Sequence, residues 1–353
     1  MSARTPLLLV VALVMSACGL VGYRGAAAPI TVPPSASASP SVTAAEPAPE
    51  TADDLGGPHT GAYVAGCFGA DALAAPTGAC PRSTRSGRLT PQPAVARRDK
   101  SRAYGYISGG KHCFADLPRF PVTTCTFGDP RATTSVALIG NSHAGQWLPA
   151  IERIAAKKHW RVTTYLASQC ALADVRQGFD TPQISSNCQR WGREVTDRVA
   201  RGGFDLVILT NKISRGVRGQ TLAASTRLFQ QGYARVLERL QRAQLRVVGV
   251  RDTPSPAIDV PGCLAAHPKN YHACSGTRAT WLPPEPLTAA VAGMRDERIT
   301  MIDMSDYICE STLCSAAVGG VPVYFDVSHL TATYARTLTP YLAYELEAVW
   351  SAD

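Results

Sequence analysis

The sequence predicts an α/β protein: a three-layer, flavodoxin-like fold with a parallel five-stranded sheet, preceded by a disulfide-stapled N-terminal extension. Three observations predict it. After Thr134, short apolar runs alternate with longer amphipathic stretches, the rhythm of a parallel sheet covered by helices. Between residues 58 and 130 that rhythm is absent, and four cysteines and many turn residues take its place. Setting aside Cys18, the remaining ten of 11 cysteines fall into local pairs along the chain, as a disulfide framework would.

Each element has its own signal. Strands are expected at 135–139 (SVALI), 161–166 (RVTTYL), 205–209 (DLVIL), 245–250 (LRVVGV) and 299–303 (ITMID). These are short apolar runs rich in β-branched residues, as strands buried on both faces require. Helices are expected at roughly 145–158, 187–201, 221–243, 285–295 and 331–350. In such sheets ligands bind outside the carboxyl ends of the strands, where the strand order reverses.

The 353 residues are 45% apolar and 18% charged, with 26 prolines and 29 glycines. That excludes collagen, coiled coil and polytopic membrane protein. Lys plus Arg exceed Asp plus Glu by 35 to 27, giving +8. The charge favours acidic neighbours, but no nucleic-acid motif accompanies it, so nucleic acid is not an expected partner.

Residues 1–18, MSARTPLLLVVALVMSAC, read as a secretory signal, with a cationic start, a short apolar run and small residues. The run is too short to span a bilayer. Met15-Ser16-Ala17-Cys18 resembles a bacterial lipobox, which would make Cys18 the lipidated first residue; the alternative is ordinary cleavage near Ala26-Ala27-Ala28. Residues 19–57, rich in Ala, Pro and Ser, read as an unfolded tether. Residues 58–130 form the loop-rich extension and 131–353 the main domain.

The expected pairs are Cys67 with Cys80, Cys113 with Cys125, Cys170 with Cys188, Cys263 with Cys274, and Cys309 with Cys314, in keeping with an oxidising compartment. Cys263, His267, His272 and Cys274 also form a set that zinc accepts. Their spacing does not match structural zinc sites, so a disulfide is preferred and no metal is expected.

Chemistry concentrates at two places. The first strand ends in Gly140-Asn141-Ser142-His143-Ala144, which puts a serine hydroxyl and a helix amino terminus at the strand end. Near the other end of the chain, Tyr324-Phe325-Asp326-Val327-Ser328-His329-Leu330 precedes the last helix. The three-residue offset lets Asp326 accept from Nδ1–H of His329 and leaves Nε2 to take the proton of Ser142. Each motif alone also fits a helix cap or a surface turn; the conjunction in one α/β domain points to acyl transfer.

CTFGDPRATTSVALIGNSHAGQWLPAIERIA, VVGVRDTPSPAIDVPGC and IDMSDYICESTLCSAAVGGVPVYFDVSHLT together span roughly 100–350. They resemble the SGNH (GDSL-like) esterases, and within them the SGNH domain associated with acyltransferase type 3 proteins that O-acetylate cell-envelope carbohydrate. The resemblance implies Ser142 as nucleophile, His329 as general base and Asp326 as its orienting acid. It also implies a bacterial serine esterase or O-acyltransferase that needs no cofactor and acts on acylated envelope carbohydrate. The membrane acyltransferase of the fused relatives is absent from this chain, so a transferase would need a separate membrane partner as acyl donor. The expected location is the outer face of the cytoplasmic membrane, through a lipid anchor at Cys18. The family usually has Asp where this chain has Asn141. For the oxyanion hole the resemblance suggests the Ser142 N–H, Asn211 after the third strand, and backbone N–H groups around Ser168 to Cys170, although the family's G-x-N-D context is missing. Asn141, His143 and Asp252 fall at the carboxyl edge as pocket candidates. Asp252 also reads as a turn aspartate before Pro254, and His143 as a helix cap. Two alternatives keep no catalysis: a carbohydrate-binding or envelope-organising lipoprotein on this fold, and a basic lipoprotein that retains anionic polymers.

Overall fold

The structure is a computed structural model and describes residues 66–107 and 111–350. The signal at 1–18, its Cys18 and the tether at 19–57 lie outside the described residues.

The central sheet has seven strands: β1 (Phe114–Ala115), β2 (Cys125–Gly128), β3 (Thr134–Asn141), β4 (Trp160–Ala167), β5 (Leu206–Thr210), β6 (Val247–Val250) and β7 (Ile299–Ile302). Five of them, in the order β4-β3-β5-β6-β7, are parallel. The chain leaves β3 for β4 on one side and returns to β5 on the other, so the strand order reverses at the carboxyl end of β3, where α/β folds bind ligands. All five strands correspond to the apolar runs in the sequence, with ends displaced by at most two residues.

The segment 58–130 adds two strands that its pattern did not announce. β1 lies parallel to Leu166–Ala167, and β2 antiparallel to Arg161–Thr164. Together they cover the outer edge of β4, whose unpaired N–H and C=O groups would otherwise be open to another chain.

The helices used below are α1 (Ser142–Gly145), α2 (Leu148–Lys158), α3 (Pro182–Arg201), α4 (Leu222–Arg242), α5 (Val260–Ala266), α6 (Pro286–Ala292), α7 (Ala332–Thr337) and α8 (Thr339–Trp350). Side chains of a strand alternate between faces. Val136 and Leu138 of β3 therefore enter one core with Ile151 and Ile154 of α2, Tyr334 of α7 and Leu342 of α8. Ala137 and Ile139 enter the other with Trp191 and Val195 of α3 and Phe229 and Leu237 of α4. Those are the three layers of the fold.

Local rules set the helix ends. α3 starts five residues before its expected start of 187, because Thr181 caps it (Oγ1 accepting from Ile184 N at 3.2 Å) and Pro182 occupies the first turn. The expected 331–350 helix is two pieces, α7 and α8, with Leu338 between them. Disulfides join Cys67–Cys80, Cys113–Cys125, Cys170–Cys188, Cys263–Cys274 and Cys309–Cys314. With Cys263 and Cys274 joined, that segment offers no thiolate pair to a metal. Among the described residues no helix is long and apolar enough to cross a membrane.

Candidate active site

β3 delivers Ser142 to the switch point through a backbone passage that only glycine allows. Gly140 has φ +143°, and a Cβ there would lie 1.9 Å from the carbonyl oxygen of Thr210 in β5. The next residue, Asn141, is buried and clasps the two strand ends together. Its Oδ1 accepts from His143 N and Lys212 N, both at 3.1 Å, and its Nδ2 donates to Lys212 O at 2.7 Å. Two N–H groups and one carbonyl converging on the amide fix which end is nitrogen. Asn141 therefore holds backbone and does not line an open pocket.

At the head of α1, Ser142 Oγ lies 2.9 Å from His329 Nε2, and His329 Nδ1 lies 2.8 Å from Asp326 Oδ2. The other carboxylate oxygen of Asp326 accepts from the backbone N–H groups of Ser328 (2.9 Å) and His329 (2.8 Å). Burial opposes ionisation of Asp326, but the bonds from the His329 ring and these N–H groups outweigh it and hold the carboxyl at about 2. The ionised carboxylate accepts from Nδ1–H, so Nε2 carries a lone pair aimed at the serine hydroxyl. The His329 and Asp326 side chains are 19% and 38% exposed, so this end of the site is open to solvent.

The His329 ring is held on two sides. Phe325 stacks on it with centroids 5.3 Å apart and planes 6° apart, and Tyr104 meets it edge-on at 5.8 Å. Tyr104 also donates its hydroxyl to the backbone carbonyl of Ser142. Burial, and secondarily the Asp326 charge, push its phenol well above the ordinary range, so it remains a donor. Beside Asp326, the exposed Val327 and Ile258 form an apolar rim, joined through Ala257 N to Val327 O at 3.0 Å.

His143 has no exposed surface, although its ring centroid lies 4.6 Å from that of His329. Its Nδ1 lies 2.5 Å from Asp252 Oδ1 and its Nε2 3.2 Å from Ser328 Oγ. Burial lowers its pKa to about 4, against the opposing pull of Asp252, so the ring is neutral at ordinary pH. Asp252 also makes the turn contact expected before Pro254, accepting from Thr253 N at 2.9 Å. His143 is thus enclosed beside Ser142 and His329, while Asp252 keeps a partly exposed side chain (16%).

For the oxyanion donors, Asn211 is buried at the end of β5 beside Gly140, with Oδ1 accepting from Leu172 N at 2.9 Å and Nδ2 buried without a partner. The Ser168 N–H is already engaged by Ala115 O at 3.0 Å, which removes it from the donor candidates after β4. An open cleft of about 540 Å³ near the end of β6 is lined by Arg251, Arg278, Thr277 and Thr312 among others, and by none of the three triad residues. The described residues contain no cluster of three or more His, Cys, Asp or Glu arranged to hold a metal ion.

A mostly parallel sheet covered by helices on both faces, with Ser142, His329 and Asp326 brought together where its strand order reverses, is the architecture of an α/β protein with a site at its switch point. The chain belongs to the SGNH family: the profile described as the SGNH domain fused to AT3 domains matches residues 112–343, well over half of its length. Among solved structures, the periplasmic domain of a lipopolysaccharide acetyltransferase from Salmonella ser. Paratyphi A is similar at 14% identity and TM-score 0.46, covering 61% of this chain and 83% of that one. A carbohydrate acetylesterase family member from Sinorhizobium meliloti is similar at 12% identity and TM-score 0.36, covering 62% and 99%. No curated protein matches the chain.

Proposed function

We propose that the protein is a serine esterase or O-acyltransferase acting on O-acyl groups, chiefly O-acetyl, of cell-envelope carbohydrate. The observation that carries the reading is the unbroken chain from Ser142 Oγ through His329 to Asp326, at 2.9 and 2.8 Å. Its members come from opposite ends of the α/β domain and meet at the switch point.

His329 Nε2 takes the hydroxyl proton as Ser142 Oγ attacks the ester carbon, and Asp326 stabilises the imidazolium that forms. The Ser142 N–H, at the head of α1, donates to the developing oxyanion. Collapse of the tetrahedral intermediate expels the alcohol oxygen, which leaves with the proton from His329, and the acyl group stays on Ser142. In the second half His329 takes a proton from water or from a sugar hydroxyl, which attacks the acyl-enzyme. Water releases the acid and completes hydrolysis; a sugar hydroxyl completes transfer. The two outcomes differ in which acceptor is positioned.

The protein is exported and anchored by a lipid on Cys18, with 19–57 as tether, 58–130 as extension and 131–353 as catalytic domain. A separate membrane acyltransferase supplies the acyl group where the reaction is a transfer; the family description, an SGNH domain fused to AT3 domains, supports that pairing.

The test is turnover of para-nitrophenyl acetate by the oxidised protein. Ser142→Ala and His329→Ala are each expected to abolish it. Equal turnover in the variants and the wild type would overturn the assignment.

A further inference from the structure

The dipeptide Ser-His occurs at 142–143 and again at 328–329, and the fold sets the two face to face. Ser142 Oγ is bonded to His329 Nε2, and Ser328 Oγ lies 3.2 Å from His143 Nε2. Each histidine has a carboxylate on its Nδ1: Asp326 at 2.8 Å for His329, and Asp252 at 2.5 Å for His143. Two Ser-His-Asp chains thus run side by side, with imidazole centroids 4.6 Å apart.

Access separates them. His143 is 0% and Ser328 4% exposed, so no ester reaches the second chain and it is not a second active site. Its chemistry is that of a brace. Asp252 accepts from Nδ1–H, which leaves Nε2 of the neutral His143 as the acceptor for the Ser328 hydroxyl. That bond ties the residue after the nucleophile to the residue before the base. Because the two bonds cross between the same pair of dipeptides, the Ser142–His329 separation cannot widen without stretching the Ser328–His143 bond. Gln146 adds a further tie: its Oε1 accepts from Leu330 N at 2.8 Å and its Nε2 donates to Thr253 Oγ1 at 3.1 Å. The residues following His329 and Asp252 are thereby held to one side chain.

We propose that Ser328, His143 and Asp252 form a positioning relay, enclosed at Ser328 and His143, that holds His329 in register with Ser142. The inference rests on the reading of His329 as general base given above. A misplacement of about 1 Å at a reacting pair costs on the order of 100-fold, so loosening the brace acts on kcat. Asp252→Ala removes the acceptor on Nδ1 and so frees the His143 tautomer, whereas an amide at 252 would keep its oxygen on both Nδ1–H and Thr253 N.

The experiment uses the full oxidised chain, with para-nitrophenyl acetate kinetics and 15N spectra of the histidine rings. Ser328→Ala is expected to lower kcat by about 10- to 100-fold with KM within about twofold, to leave the melting temperature within a few degrees, and to shift the ring nitrogens of both His143 and His329. Ser328→Ala added to Asp252→Ala is expected to cost little more than Asp252→Ala alone, because both break one chain. Unchanged kcat and unchanged His329 nitrogens in Ser328→Ala would overturn the relay, as would fully additive losses. Should the wild type itself fail to hydrolyse the ester, the esterase reading falls and the spectra alone decide the relay. Wild-type His143 must then be protonated on Nδ1, and Ser328→Ala must move the His329 signals.

Discussion

Glu285, at the head of α6, gives the protein a stability that depends on pH in a calculable way. Its Oε2 accepts from the Thr288 hydroxyl at 2.7 Å, while Oε1 is buried with no partner. Burial, with the Asp252 charge adding to it, raises the carboxyl from 4.5 to about 8. The folded state therefore keeps a proton that the unfolded state releases above about 4.5. Between those values the folded protein binds more protons, so the contribution of Glu285 is fully present below 4.5 and is lost as pH rises towards 8. The loss is about 1.4 kcal/mol per pH unit, or about 3 kcal/mol between pH 5 and pH 7.5. Glu285→Gln keeps the shape and removes the titration. The assay is denaturant unfolding of wild type and variant at both pH values, with disulfides intact. The variant is expected to gain about 3 kcal/mol on the wild type as pH goes from 5 to 7.5. His143, held near 4, pulls the other way: its contribution is lost as pH falls below about 6.5. It does so equally in both proteins and cancels from the difference. A difference that does not change with pH, or that reverses sign, would refute the buried neutral carboxyl.

Other substitutions probe the site. Asn141→Asp keeps the two accepted N–H bonds but sets a carboxylate oxygen against Lys212 O, so the variant is expected to be about 1–3 kcal/mol less stable at pH 7.5, with part of the loss recovered on acidification; unfolding at two pH values checks it. Tyr104→Phe removes the hydroxyl donated to the Ser142 carbonyl and keeps the ring against His329, so a fall of about tenfold in kcat/KM, with the melting temperature little changed, is expected from ester kinetics and thermal melts. Asp326→Asn is expected to lower kcat by about 10⁴ by turning the His329 tautomer over, with KM nearly unchanged, as steady-state kinetics would report.

The legible parts of this protein in its sequence are those whose cause is local. The runs that became β3 to β7 are apolar and β-branched because both faces of those strands are covered, and such runs read without tertiary information. Asp326 and His329 are three residues apart, so their pairing is also local. β1 and β2 are two and four residues long, too short for a period, and exist because the edge of β4 needs partners. The break at Leu338 does have a local cause: Pro340 has no N–H to give to the Arg336 carbonyl, so a helix through 331–350 stops and restarts just before it. His143 and Asp252 are 109 residues apart, and Tyr104 reaches Ser142 from a stretch with no periodicity. The repeated Ser-His dipeptide was visible, but its reciprocity is a product of the fold.

The central claim is that an acyl group passes through Ser142. The most direct measurement is mass-spectrometric peptide mapping after the protein is mixed with para-nitrophenyl acetate and quenched in acid. The account predicts an acetyl group on the peptide containing Ser142, absent in Ser142→Ala and formed far more slowly in His329→Ala. Acetyl recovered only on other residues, or on this peptide in Ser142→Ala as well, would contradict it.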